Sequence, residues 1–464
     1  MSALMVAVAR AFIIALVLTP IARDVFRAYN VVDRPGRRKV HAYPIPRVGG
    51  IPIVAGYIFA LFQLVDPNLA MPRDWIWALA PGATAIFLTG LIDDFFNLRP
   101  IVKLIGQIGA AVLVYANGIR IETLAGRHLP EWISLPLTLF WLLLTTNALN
   151  LIDGLDGLCA GLGFFAALTL GISGFIQGNA PLYNVAFPLA GAMLGFLIYN
   201  LNPATVFLGD SGALSIGFLL GCFGLIWTQE STTLATTAVP LLALAVPLLD
   251  VLLSVIRRFL KAHPLFAADR GHTHHRLLDR GLSVRQSGGV LYLFAATAGV
   301  FAILLTWRPE FGGYHAAVLA GFCIACWAGI RQLRYAELEV AGSLLFGEFR
   351  KTVAVRVRLE HLRETLARAV SSDDWWATLV RTARDEHLIR ISWNEDSGER
   401  EVTLSDATPG WSLEVRLEEG RSLQLSGTAP EASSDPGLDL IRLTAILRET
   451  YSAVLRRTSR VAVG

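Results

Sequence analysis

Residues 132–177 read WISLPLTLFWLLLTTNALNLIDGLDGLCAGLGFFAALTLGISGFIQ. Two apolar runs, each close to the roughly 20 residues that cross a bilayer, flank a short Asp-Gly-Leu-Asp-Gly turn. The only charged side chains in the stretch, Asp153 and Asp156, sit in that turn. A carboxylate at the end of an apolar helix is costly, and by default it marks a functional site. The stretch therefore predicts two membrane helices joined by a loop equipped for chemistry.

The same pattern recurs on both sides. Apolar runs near 2–22, 49–66, 75–92, 101–118, 183–200, 212–229, 236–256, 288–307 and 314–332 join 132–149 and 158–177, so about eleven transmembrane helices are expected. The first run is read as a retained helix. It lacks a basic leading segment, carries Arg10 midway and runs into Arg23 and Asp24, unlike a cleaved signal peptide. Across 464 residues, 54% are apolar and 17% charged, against about 25% charged in soluble domains. That average hides a division. Residues 335–464 hold 38 charged residues in 130, whereas 1–334 hold 39 in 334. The chain is thus read as an all-α polytopic membrane domain, 1–334, and a soluble α+β domain, 335–464. A net charge of +3 gives no nucleic-acid footprint. The four cysteines lie in apolar surroundings and read as packing residues, not as a disulfide framework.

Basic residues orient the bundle, because short cytoplasmic loops are enriched in Lys and Arg. The odd-numbered loops hold 16 of them, and the even-numbered loops hold Arg73, Arg120, Arg127 and Arg308. The N-terminus is therefore expected outside, with the odd loops and the tail in the cytoplasm.

The odd loops also hold the chemistry. They contain Asp33 to His41 with Arg47 and Gly49-Gly50, then Asp93-Asp94 with Asn97 and Lys103. Further along come Asn147 to Gly157, Asn202-Pro203-Ala204 with Gly209-Asp210-Ser211-Gly212, and Asp269 to Arg276. Asp93, Asp94, Asp153, Asp156 and Asp210 would repel one another unless a metal ion or cationic ligand compensates. Hard oxygens suit Mg²⁺, with Mn²⁺ able to replace it, and Mg²⁺ typically takes one or two carboxylates plus substrate phosphates. Arg37, Arg38, Lys39, Arg47, Lys103, Arg270 and Arg276 could receive those phosphates. Each piece alone has a plainer reading: a solvated helix end for Asp93-Asp94, turns for the glycines, a lipid-headgroup or topology signal for Arg37-Arg38-Lys39. The His272-Thr273-His274-His275 run would suit zinc, but no Cys or nearby fourth ligand accompanies it. Sharing one membrane face is what points to phosphoryl transfer involving a lipid.

Five motifs, DRPGxRKxHxxPxPxxGG, DDxxNL, NxxNxxDGLDGL, NPAxxFxGDSG and HxHHRLxxxG, stand in order over residues 30–285. In this the chain resembles the polyprenyl-phosphate N-acetylhexosamine-1-phosphate transferases, most of all the bacterial undecaprenyl-phosphate N-acetylglucosamine-1-phosphate branch. The resemblance implies an Mg²⁺-dependent enzyme of the inner membrane. It would move N-acetylhexosamine 1-phosphate from a UDP-sugar to undecaprenyl phosphate, releasing UMP, at the start of envelope polysaccharide synthesis. By motif position, Asp210 and Asn150 are the metal ligands. Asp93, Asp94, Asp153, Asp156 and His274 are catalytic. Lys39, His41, Arg47, Lys103, Asn147, Arg270, His272, His275 and Arg276 bind substrate. The family often assigns the aspartate pair to activating the lipid phosphate. A phosphate monoester has a second pKa near 6, however, so most acceptor is already dianionic at neutral pH, and Asp93 is expected to orient rather than to take a proton. The alternatives are a phospho-N-acetylmuramoyl-pentapeptide transferase and a non-catalytic lipid-phosphate transporter. The latter would favour mid-helix charges and broken helices, whereas mid-helix ionisable residues are few here, Arg10 being the clearest, and the polar groups crowd at one face.

The tail lies outside the resemblance. Residues 352–386 read as helical, alternation predicts strands near 387–393, 399–405, 411–417 and 421–427, and Leu438–Arg457 reads as an amphipathic helix. A GAF-like module that binds a regulator, or a merely stabilising appendage, fits this pattern, and a homodimer is a further expectation.

Overall fold

The structure is a computed structural model that describes residues 2–33, 44–64, 73–124, 127–230, 237–260, 272–307, 313–332, 359–383, 388–395, 398–404, 411–418, 421–427 and 436–462. The chain forms two compact units, Met1–Arg334 and Tyr335–Gly464.

The first unit is helical. Its helices are α1 (Ser2–Ala28), α2 (Gly50–Leu64), α3 (Arg73–Phe96), α4 (Pro100–Ala116), α5 (Glu131–Ile152), α6 (Leu158–Gln177), α7 (Ala180–Asn200), α8 (Gly209–Glu230), α9 (Val239–Ala243), α10 (Ala245–Leu260), α11 (Thr273–Asp279), α12 (Val284–Thr306) and α13 (Tyr314–Gln332). Seven helices among the described residues are long and apolar enough to cross a membrane, and α2, α4, α10 and α13 carry shorter apolar helices. The run expected as one helix over 236–256 is broken at Leu244, between α9 and α10. Pro247 stands two residues into α10; it cannot donate an intrahelical hydrogen bond, and its ring clashes with the carbonyl four residues back.

Helix α8 is the axis: 94% of its apolar window is buried inside the protein, against 22% for α1. It packs against α3, α5 and α6. Helix α1 lies on α2 and α7 through Ala7, Ala11 and Ala15, all fully buried. Small residues at that spacing let backbones approach where lipid removes any hydrophobic gain from helix pairing. A two-stranded hairpin, β1 (Thr123–Leu124) with β2 (Arg127–His128), links α4 to α5 and was not expected from the sequence. All four cysteines are free.

The second unit holds an antiparallel four-stranded sheet, here β3 (Leu388–Glu395), β4 (Gly398–Thr403), β5 (Trp411–Arg416) and β6 (Ser422–Gly427), in the order β4-β3-β6-β5. Helices over 359–367, Ser372–Ala383 and Pro436–Ala462 accompany it. Trp375, Trp393 and Tyr451 meet edge-on in its core, with ring centroids 5.2–5.8 Å apart. The expected strands are close to those observed. The expected long helix is interrupted at 368–371, and its first residues, 352–358, lie outside the described ones.

Candidate active site

The DDxxNL motif ends α3 in a defined way. Asn97 takes a left-handed backbone, φ 49°, at the helix end, where such a residue commonly terminates a helix. That turn aims the Leu98 N–H at Asp93 Oδ1, 2.6 Å away, and Pro100 then opens α4. One turn into α4, Lys103 faces back. Its Nζ donates to Asp93 Oδ2 at 3.0 Å, to Asp210 Oδ2 at 2.6 Å and to Asn150 Oδ1 at 3.3 Å. Asn150 Nδ2 in turn donates to Asp210 Oδ1 at 2.7 Å. Residues more than a hundred positions apart, from α3, α4, α5 and α8, thus place three oxygens around one cationic nitrogen.

Asp94, adjacent in sequence, does different work. Successive helical side chains diverge by about 100°, so Asp94 points at α8 and not at α4. Its Oδ1 accepts from the Asp210 N–H at 2.7 Å and its Oδ2 from the Ser211 N–H at 2.9 Å. A carboxylate from α3 therefore caps the first turn of α8, the turn that carries Asp210. Gly209 makes the approach feasible. Its φ is +73°, and a Cβ there would lie 2.8 Å from both Asp94 oxygens. Asp156 is likewise occupied: its Oδ2 accepts from Asn202 Nδ2 at 2.9 Å and from the Ala204 N–H at 3.0 Å. The DGLDG and NPA motifs are thereby tied to each other.

Asp153 follows the last turn of α5. Burial and the charge of Asp210 push its pKa up to about 7, with Arg47 pulling the other way. No hydrogen bond or ion pair to its carboxylate occurs among the described residues. Beside the same turn stands His274, 1% exposed, with neither ring nitrogen hydrogen-bonded among the described residues. A Cβ on Gly154 would lie 2.6 Å from its Nε2. Burial, with His275 nearby, pushes the pKa of His274 down to about 4, so its ring is neutral at pH 7. A buried imidazole with no hydrogen bond among the described residues is expensive, and the ring lies against Gly154 of the Asp153 turn. The ring of His272 stacks on His274 at 5.8 Å and 6°, and the ring of His275 lies 4.3 Å from His274. His272 Nδ1 is 2.7 Å from Asp250 Oδ2.

Residues 76–228 match the family model described as glycosyl transferase family 4. A Bacillus subtilis (strain 168) protein named as a probable undecaprenyl-phosphate N-acetylglucosaminyl 1-phosphate transferase is 34% identical over 310 residues. The match covers 65% of this chain and 86% of that protein. An Escherichia coli (strain K12) undecaprenyl-phosphate alpha-N-acetylglucosaminyl 1-phosphate transferase is 30% identical over 320 residues, with the same shares covered. A Mycobacterium tuberculosis (strain CDC 1551 / Oshkosh) decaprenyl-phosphate N-acetylglucosaminephosphotransferase is 33% identical over 309 residues, covering 59% and 76%. The chain belongs to the polyprenyl-phosphate N-acetylhexosamine-1-phosphate transferase family. As in that family, the general activity is transfer of an N-acetylhexosamine 1-phosphate to a polyprenyl phosphate at a membrane.

For this transferase the structure brings together Asp93, Lys103, Asn150 and Asp210 at one point, and His272, His274 and His275 at a second, where His274 rests against Gly154. Arg276 sits half-buried on α11. Asn147 is engaged inside the bundle: its Nδ2 donates to Gln107 Oε1 at 2.8 Å, and Gln107 Nε2 donates back to Asn147 Oδ1 at 3.2 Å. Arg47 pairs with Asp33 at 3.3 Å and has an exposed side chain. Lys39, His41 and Arg270, like Arg37 and Arg38, lie outside the described residues. Gln107 and Asp250 were missed as site residues. Gln107 had a legible signal, standing one helical turn after Lys103 on an otherwise apolar face.

Two carboxylates and an amide oxygen fit a hard divalent cation. No group of three or more His, Cys, Asp or Glu with metal-holding geometry occurs among the described residues, and Mg²⁺ needs only one or two carboxylates. In the structure these oxygens gather around the positive charge of the Lys103 ammonium.

Proposed function

We propose that the protein is an Mg²⁺-dependent enzyme that transfers N-acetylhexosamine 1-phosphate from a UDP-sugar to undecaprenyl phosphate. The products are undecaprenyl-diphospho-sugar and UMP. The single observation that supports this reading best is the convergence of Asp93, Asn150 and Asp210 on Lys103.

In this reading the lipid phosphate oxygen attacks the phosphorus that bears the sugar, a new P–O bond forms, and the bond to the α-phosphate breaks with UMP departing from the opposite side. Asp210 and Asn150 would hold Mg²⁺, which when bound neutralises charge on the diphosphate. Lys103, held by Asp93, supplies a further cation at the reacting phosphates. Such transfers depend mainly on positioning and charge neutralisation. Neutral His274 and Asp153 form the donor-side wall, and His272, His275, Arg270 and Arg276 grip the sugar and diphosphate. Asp94 and Asp156 shape the site by holding α8 and the NPA loop.

The same proposal carries a topology. Eleven helices cross the inner membrane, four of them (α2, α4, α10 and α13) short. The N-terminus faces the periplasm, and the site and the 335–464 unit face the cytoplasm, where nucleotide sugars are made. The cation-rich odd loops support this orientation. The test is UMP release by the purified protein with undecaprenyl phosphate, Mg²⁺ and a panel of UDP-N-acetylhexosamines. Release with a UDP-N-acetylhexosamine supports the reading. Release only with UDP-N-acetylmuramoyl-pentapeptide moves the protein to the peptidoglycan branch, and no release with any donor leaves a lipid-phosphate binder.

A further inference from the structure

Asp250 is an acid inside an apolar helix. Its side chain is 3% exposed, and it sits on α10 among Val251, Leu252 and Leu253. A buried carboxylate in such a segment is costly unless its oxygens are satisfied. Here they are, and among the described residues every hydrogen bond goes to the same two residues. Oδ2 lies 2.7 Å from His272 Nδ1; Oδ1 accepts from the Thr273 N–H at 2.7 Å and from Thr273 Oγ1 at 2.6 Å. Ser254, one turn along α10, places its Oγ 3.5 Å from the same ring nitrogen.

Two consequences follow. A carboxylate on Nδ1 fixes the proton of His272 there and leaves Nε2 as the nitrogen that can face a ligand. The two bonds to Thr273 hold the start of α11, and the next residue is His274, whose ring stacks on His272 and rests against Gly154. We propose that Asp250 is the positioning residue of the histidine loop, fixing His272 in one tautomer and orientation and placing His274 against the Asp153 turn, so that both rings meet the donor's diphosphate-sugar portion. This rests on the donor-side role given to the loop above. Asp250 itself touches no substrate.

The experiment is a double-mutant cycle in the full-length detergent-solubilised protein, with Asp250→Asn, His272→Ala and the pair, reading kcat and KM separately for the UDP-sugar and for undecaprenyl phosphate. Asn keeps an oxygen for Thr273 but turns an amide N–H toward His272, which forces the ring proton onto Nε2. Asp250→Asn is expected to lower kcat/KM for the UDP-sugar about 10- to 100-fold, the usual range for an outer partner of a functional histidine. KM for the lipid phosphate should stay within about twofold. In the His272→Ala background the same change should cost less than about threefold, because coupled residues are not additive. A loss that multiplies in full in that background, or no loss in either, overturns the proposal. Activity untouched by His272→Ala overturns instead the donor-side reading of the loop. Should Asp250→Asn not fold, Thr273→Val removes one of the three bonds isosterically. It should lower donor kcat/KM several-fold with an unchanged unfolding midpoint, and an unchanged kcat/KM would refute the anchoring role.

Discussion

Replacing Asp93 by Asn separates two ideas about the aspartate pair. In the structure both Asp93 oxygens are engaged, one by the Leu98 N–H and one by Lys103, with side-chain exposures of 9% for Asp93 and 17% for Lys103. A charge-assisted hydrogen bond in such surroundings contributes about 1.5–3 kcal/mol. At about 1.4 kcal/mol per decade, its loss costs about 10- to 150-fold. A role as proton acceptor predicts a different magnitude and a different pH profile. With a second pKa near 6, only about 3% of the acceptor phosphate still carries its proton at pH 7.5, and about a quarter at pH 6.5. Removing a base would therefore matter most at low pH and fade as pH rises. The assay is initial-rate UMP release by wild type and Asp93→Asn from pH 6.5 to 8.5 at saturating Mg²⁺. The expected result is a deficit of about 10- to 150-fold that stays constant within about threefold across the range. A deficit that falls steeply with rising pH would refute the positioning role and restore the general base.

Asp94→Asn should act through Asp210, because one of the two N–H groups capping α8 loses its acceptor. Half-saturating Mg²⁺ is expected to rise about tenfold with kcat largely restored at high Mg²⁺, whereas a lost kcat with unchanged Mg²⁺ dependence would make Asp94 a direct participant. Gly154→Ala puts a methyl where His274 Nε2 is 2.6 Å away, so His274 must move. About tenfold or more should be lost from kcat/KM for the UDP-sugar while KM for the lipid phosphate holds, and equal effects on both would remove His274 from the donor side. Asp153, with a pKa raised from 3.8 to about 7, keeps its proton in the folded state over a range where the unfolded chain has released it. Its contribution to stability is thus present below about pH 4 and is lost as pH rises to about 7. Unfolding midpoints in detergent should accordingly fall less between pH 4.5 and 8 for Asp153→Asn than for wild type, and parallel profiles would contradict the shift.

The helical body was legible because hydropathy dominates when lipid is the solvent and each span must satisfy its own backbone. The boundaries were less so. Helix α1 runs on to Ala28 past Arg23 and Asp24, since charge ends a membrane crossing but does not break helical hydrogen bonds. Acids, amides and cations clustered at helix ends were legible in the sequence, and Asp93, Lys103, Asn150 and Asp210 among them meet in the fold. The division of labour was not. Asp93 and Asp94 look equivalent in a sequence, yet helical geometry sends one to Lys103 and the other to the N–H groups of α8. Asp156 looks like a catalytic acid beside Asp153, but it holds Asn202 and Ala204. Asp250 stands in the sequence as an acid within an apolar run, but nothing local to it names a partner 22 residues away.

The most direct measurement follows the phosphorus. Purified protein is supplied with Mg²⁺, undecaprenyl phosphate and a UDP-N-acetylhexosamine labelled with ³²P at the β-phosphate, and the organic and aqueous phases are then counted. Transfer of sugar 1-phosphate moves the label into the lipid and releases unlabelled UMP, with none moved by Asp210→Asn. Label leaving in water-soluble UDP, or a lipid phase that stays unlabelled with every donor, would contradict the account.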